Sequence, residues 1–425
     1  MSCGVAKEAV RAVLNDVIDR KPALDKVRGT AFFDPERDAV IQASSSFDAA
    51  KIAIAEIPNF VGRFGTEAAE RIVLQFVYQY FKRVQAVQYD GAEFEALWCD
   101  LVAEVQDAYW ISRGVANMRN FASQMNHIDL GDGVTIRGRS PSDLASLGFD
   151  DAVWQHISED WRMPGPSSFV LVAEHWFAKQ PDNVILSDTY NPSVKAMRAI
   201  GALRLLSAGS IGIGPMWITR AARFNVGLSG VTSTGISIPM YGSQYSWTDE
   251  VQRLYPPLYN SLARLEKEGY GKSPGNLAIA LRSFMATYDR WPTFSDSQLL
   301  DLITSLEALL GTESEIAFKL SFRVASLMAP DGQQCGELLK LIKGFYDTRS
   351  RIVHGDTLGK KHQDRLLRLE DLRAIVRRLL RSFVEFAVAP ASSYDKSFWQ
   401  EQLDAALVDT AEREKLREAL KLTQS

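Results

Sequence analysis

From Asn276 onward the chain is almost continuous helical periodicity, and this bounds its architecture more than any other feature. The segments "NLAIALRSFMATYDR", "DSQLLDLITSLEALLG", "SEIAFKLSFRVASLMA", "CGELLKLIKGFYDTRSRIVHG" and "LEDLRAIVRRLLRSFVEFA" repeat apolar residues every three or four positions, with short polar links between them. Helices joined by short connections pack as antiparallel neighbours, so residues 276–388 predict an all-α helical bundle. The charged stretch "YDKSFWQEQLDAALVDTAEREKLREAL" adds a C-terminal helix within 389–425.

Upstream the pattern differs. Residues 1–107 read as mostly helical, with "EAAERIVLQFVYQYFKRVQAV" and "DGAEFEALWCDLVAEV" as the clearest helices. Over 108–270, "VTIRGRS", "SFVLVAEHWF", "IGIGPMWITRAARF" and "VTSTGISIP" are rich in β-branched and aromatic residues, and "PSVKAMRAIGALRLLSAG" is a helix among them. The expectation is an α+β multidomain chain: a helical N-terminal region, a mixed α/β region, a helical bundle and a last helix. At 425 residues it exceeds one ordinary domain. "EGYGKSPGN", 268–276, is the expected boundary before the bundle.

Composition removes several classes. Hydrophobic residues at 46% and charged residues at 24% exclude a disordered or fibrous chain. The first 25 residues carry charges every few positions, which argues against a signal peptide or anchor. No run of 18 apolar residues occurs, and the longest candidate is broken by Glu174 and His175, so no membrane partner is expected. Cys3, Cys99 and Cys335 lie far apart without zinc spacing, which points to a reducing, cytoplasmic setting. The formal net charge is -4, yet Gly336–Ser382 holds twelve Lys and Arg against six Asp and Glu. A basic segment on an acidic chain points toward phosphate, against the plainer reading of solvated helix faces.

Familiar signatures fail. "GYGKS" lacks the first glycine of a phosphate-binding loop, since Glu266 stands there. "GSIGIGP" has Trp217 where a dinucleotide fingerprint needs its third glycine, and reads as a turn beside a buried strand. His156 and Glu159 form an HxxE that would need further ligands to hold a metal. His127 and His175 read as structural histidines. No metal and no cofactor is expected.

The apolar stripe of the fourth bundle helix runs Leu338, Leu341, Ile342, Phe345, then Arg349, then Ile352 and Val353. Arg349 takes a core position. On the preceding helices Glu307 falls beside the Ile303, Leu306, Leu310 stripe, and Arg323 is flanked by Ile316, Leu320 and Leu327. Long charged side chains are almost never fully buried unpaired. Two readings stay open: Glu307 neutralises Arg323 or Arg349 to hold helix register, or the cluster presents Arg349 and His354 at an open edge. Five residues of helix set Arg349 and His354 about 140° apart, but Gly355 marks a helix end and would leave His354 in the last turn, free to swing.

The spacing of Arg349 and His354 in "YDTRSRIVHG", with "SLEALLG" and "FRVASLM" upstream, resembles the HEPN superfamily, in its Apea-like branch, over roughly residues 276–388. That resemblance implies a four- or five-helix bundle that forms a homodimer and brings two copies of the motif into one cleft. It further implies a metal-independent endoribonuclease of a toxin, antiviral or abortive-infection system, with RNA, including tRNA, as substrate. His354 would perform acid/base work and Arg349 would stabilise the phosphorane, because histidine titrates near neutrality and arginine offers a permanent bidentate cation. Ser350, Glu307 and Arg323 would support the pair, and Lys343, Tyr346 and Arg351 would contact RNA. Each chain has one such histidine, so a competent site would need the dimer. Residues 1–270 would act as sensor or regulator, binding a trigger or inhibitor. The alternative is a non-catalytic dimerisation module that binds a nucleotide or a protein.

Overall fold

Two hydrophobic cores organise the computed structural model, which describes residues 2–20, 35–138, 169–179, 186–220, 232–234, 243–269, 276–290, 294–311, 315–329, 331–389 and 396–422. The first core lies among six helices: α1 (Ser2–Asp19), α2 (Pro35–Gln42), α3 (Phe47–Ala55), α4 (Phe60–Phe64), α5 (Ala68–Val84) and α6 (Gly91–Gln106). Helix α5 buries Ile72, Val73, Phe76, Val77, Tyr80 and Phe81, the spacing of one broad face. Asp90 starts α6 by accepting the backbone N–H groups of Ala92 and Glu93.

The second core begins in the sheet. The strands are β1 (Tyr109–Arg119), β2 (Phe121–Ala122), β3 (His127–Gly131), β4 (Val134–Gly138), β5 (Phe169–Ala178), β6 (Gly212–Arg220), β7 (Thr232–Thr234) and β8 (Tyr245–Ser246), with helix α7 (Leu186–Leu206) between β5 and β6. Six strands run in the order β3-β4-β5-β1-β6-β7, each antiparallel to its neighbours. The patterning does not mark the central strand β1, nor β2, β3 and β8. The buried positions of β1 include Ser112, Asn117 and Arg119, so no run of apolar or alternating residues announces it. A short parallel pair, β2 with β8, closes one end, where Gly209 adopts φ 125° and a Cβ would stand 2.8 Å from the Tyr245 Cα.

Nine helices follow among the described residues: α8 (Asp249–Glu268), α9 (Leu277–Asp289), α10 (Ser295–Leu310), α11 (Ile316–Met328), α12 (Gly332–His354), α13 (Lys360–Leu366), α14 (Leu369–Ala387), α15 (Lys396–Val408) and α16 (Thr410–Ala419). The five expected bundle helices are α9 to α12 and α14. The single C-terminal helix expected within 389–425 is instead two, because Asp409, at φ -111° and ψ 120°, leaves the helix and caps α16 through the Ala411 and Glu412 N–H groups.

No break in packing accompanies the boundary expected at 268–276, of which 270–275 lie outside the described residues. One continuous core runs from Ala116 in β1 through α7 and α8 to Leu422. Arg377 of α14 ties the two layers, donating to the Arg204 carbonyl at 2.9 Å and to the Tyr288 hydroxyl at 3.1 Å. No helix among the described residues is long and apolar enough to cross a membrane.

The helical N-terminal unit joins the sheet through a buried ion pair. The Lys179 ammonium, just past β5, donates to the Glu104 carboxylate of α6 at 2.7 Å and lies 4.4 Å from the Trp110 ring centroid. Burial pulls the Lys179 ammonium below its usual pKa, and Glu104 opposes that shift. Replacing Lys179 by Ala is expected to lower unfolding free energy by about 3–5 kcal/mol, because the buried Glu104 carboxylate would lose the ammonium that faces it. The double variant Lys179→Met with Glu104→Gln should regain most of that loss in a urea titration followed by circular dichroism.

Candidate active site

Helix α12 positions the Arg349 and His354 side chains. Asp331 caps its N-terminus by accepting the Gln334 N–H. At the other end Gly355 adopts φ 74°; its N–H donates to the Ile352 carbonyl, and the Asp356 N–H donates to that of Arg351. This left-handed cap stops the helix at His354. His354 is thereby exposed, and it and Arg351 are basic residues in the last turn, the favourable end of the helix dipole.

Arg349 sits where α12 faces α10. Its Nη2 lies 3.6 Å from Glu307 Oε2, and its guanidinium carbon is 5.7 Å from the centroid of the Tyr346 ring. The two charged side chains keep 28% and 22% of their surface. An ion pair at that distance and exposure is worth about 0–1 kcal/mol and leaves most of the guanidinium's donors unspent. The Arg349 Nε is buried with no hydrogen-bond partner. Burial, then the Glu307 carboxylate, pushes the Tyr346 phenol above its usual pKa, while Arg349 pulls it back. The cation is therefore held in place by one carboxylate and one ring, at the rim and not inside the core.

The structure brings Glu307, Tyr346 and Arg349 together and leaves the other named residues apart. No hydrogen bond joins Arg349 to His354, and α12 is continuous between them, so the two point about 140° apart around one helix. Ser350 is half-buried beside Arg349, and Lys343 is exposed. Arg351 is exposed, 3.9 Å from Asp356. Tyr346 is half-buried against Arg349, which leaves only part of it open to a ligand.

Arg323 serves a different junction. It is fully buried and donates to the Leu310 carbonyl at 2.7 Å and to Asp404 at 2.5 Å, which fastens α15 to the end of α10. The physical reason is that the C-terminal carbonyls of α10 need donors, and a buried guanidinium supplies them.

A second histidine beside the motif went unread in the sequence. His362 of α13 is buried, with Nδ1 2.9 Å from the Thr348 Oγ1 and Nε2 3.9 Å from Asp347. Arg365 of the same helix donates to the Gly344 carbonyl at 2.8 Å. These contacts clamp α13 onto α12 over Gly344–Thr348, just before Arg349. Only the pairing of Thr348 with His362 across the loop reveals the clamp, and no periodic signal carries it. His175 bonds Asn191 at 3.2 Å and stacks on Phe177, as expected of a structural histidine, whereas His127 is exposed on β3. His156 and Glu159 lie outside the described residues.

Replacing Glu307 by Gln is expected to change stability by no more than about 1 kcal/mol and to lower the pH at which Tyr346 ionises. The readout is the ultraviolet phenolate signal of Glu307→Gln with and without Tyr346→Phe. In the wild type, the neutral phenol's contribution to stability is complete below its unfolded pKa of 10.0 and fades as pH rises through the raised folded value. Comparison with protein-family models, with curated proteins and with solved structures returned no match.

Proposed function

We propose that this protein is a metal-independent endoribonuclease in which Arg349 and His354 act on one phosphodiester of RNA. The observation that supports this most is the state of Arg349: a cation braced by Glu307 and Tyr346 at a half-exposed rim. Cleavage by the RNA's own 2′-hydroxyl needs that proton removed, a proton delivered to the 5′-oxygen and the extra charge of the phosphorane stabilised. The exposed imidazole of His354 suits both proton transfers, and the Arg349 fork suits the equatorial phosphate oxygens.

The 140° separation on α12 decides how such a site is assembled. Within one protomer the two side chains do not face one phosphate, so the reading requires a second copy. A two-fold axis beside the end of α12 sets the Arg349 of one protomer against the His354 of the other. The helical and sheet regions before α9 would then hold or release the nuclease as sensor or regulator in a toxin, antiviral or abortive-infection role. The second reading is a non-catalytic module that dimerises and binds a nucleotide or a protein; the Glu307–Arg349 ion pair, formed inside one protomer, would brace a binding cation equally well.

Total RNA and purified tRNA, incubated with the full chain in EDTA, test the proposal. Wild type should cleave and leave cyclic-phosphate ends. His354→Ala should lose about 10²–10⁴-fold in rate and Arg349→Ala about 10²–10³-fold; equal rates in all three would sink the ribonuclease reading. Mixing the two inactive variants should restore up to roughly a quarter of wild-type activity, because half the dimers then carry one intact composite site. No recovery, once subunit exchange is shown, would count against a composite site across the dimer.

A further inference from the structure

Away from Arg349, the N-terminal half of α12 borders an open groove of about 940 Å³, walled also by α13 and α14. Cations reach it from each wall: Lys340 from α12, Arg365 from α13, Arg368 from the turn into α14, and Arg378 from α14. Two carboxylates, Asp331 and Glu337, also line it, and Asp331 is committed to capping α12. Two of these cations carry little neutralisation, while Arg365 pairs with Asp347 at 3.4 Å. Lys340 has no carboxylate partner among the described residues, and Arg368 pairs only with Asp371 at an exposed position. Arg365 lies flat over Gly344, so close that a Cβ there would stand 2.8 Å from its guanidinium carbon.

Arg378 reports the surplus independently. It donates to the Leu422 carbonyl at 3.0 Å, and its guanidinium pKa is lowered by burial and by the charges of Arg381 and Arg417. The charges of Arg381 and Arg417 beside Arg378 disfavour its cation, and an anion in the groove would relieve that repulsion. Arginine forks on separate helices match phosphate oxygens spaced along a strand better than a single point charge does. Leu341, on the groove wall, lies about 12 Å from Arg349 along α12, the separation that a strand bound in the groove would span to reach Arg349.

We propose that this groove binds the phosphate backbone of a single RNA strand and holds it for cleavage at Arg349. The identity of the strand rests on the ribonuclease reading, and the test therefore measures binding apart from cleavage.

The experiment is a salt titration of a fluorescein-labelled oligouridine strand by anisotropy, on the full chain carrying His354→Ala. In that background Lys340→Gln with Arg368→Gln should weaken binding roughly tenfold and reduce the salt slope by about 1.4, which is two single-strand phosphate contacts. Both side chains are exposed, so an unchanged melting temperature confirms the fold. Gly344→Ala, which displaces the Arg365 guanidinium, should weaken binding without touching a charge. The control, Lys82→Gln with Lys267→Gln, removes the same charge elsewhere and should leave the slope unaltered. An equal loss in the control, or no loss in the groove variants, overturns the proposal. So does a groove that binds tripolyphosphate or an acidic peptide while its variants keep full RNA affinity. Groove-dependent RNA binding by a wild type that cleaves nothing sinks the ribonuclease reading alone.

Discussion

Burial of cations at the joints between layers is the constraint on which the rest of this structure depends. Arg204, at the end of α7, is almost fully buried, donates to the Ile211 carbonyl at 3.0 Å and to Asp289 at 2.6 Å, and packs against the Tyr288 ring. Arg377 then bonds the Arg204 carbonyl, so the sheet layer and the helical bundle meet through one polar node inside an apolar core. Lys179 with Glu104 does the same between α6 and β5, and Arg323 with Asp404 between α11 and α15. Apolar contact would hold these layers at many angles. Directional bonds to carbonyls and carboxylates select one, since a buried guanidinium left unpaired costs several kcal/mol.

Arg349 departs from that pattern in ways that bear on function. It is partly exposed, and its carboxylate partner stands at 3.6 Å and not at hydrogen-bond distance. Arg204, Arg323 and Arg377 donate to the protein's own carbonyls, whereas the partly exposed Arg349 guanidinium retains capacity for an external anion. The clamp of His362 on Thr348 and of Arg365 on Gly344 fastens α13 to the same helix one and five residues before Arg349. Arg365 also walls the basic groove, which couples the support of the candidate site to the surface proposed to feed it.

The charge distribution makes the two surfaces one system. The surplus of Lys and Arg in Gly336–Ser382 includes the buried Arg373 and Arg377, which are structural, as well as cations lining the groove or the end of α12. Composition alone does not separate them, because Arg377 and Arg378 are neighbours in sequence. Arg377 reaches into the core toward Tyr288, and Arg378 reaches the groove.

What the sequence determined by itself was local. The apolar spacing of Ile342, Phe345 and their counterparts dictates the bundle helices, Gly355 dictates where α12 ends, and the stripe position of Arg349 requires a charge near the core edge with a partner at hand. The tertiary structure alone chose that partner: Glu307 went to Arg349, and Arg323 to Asp404, because which helix faces a side chain depends on packing between segments distant in sequence. It alone revealed β1, whose buried Ser112 and Asn117 conceal a central strand, and the break at Asp409, where a cap overrides helical periodicity. It alone showed His362, since a buried histidine is recognised by what closes around it. Periodicity reports which face of an element is buried; the identity of what it is buried against is a long-range property that no local pattern encodes.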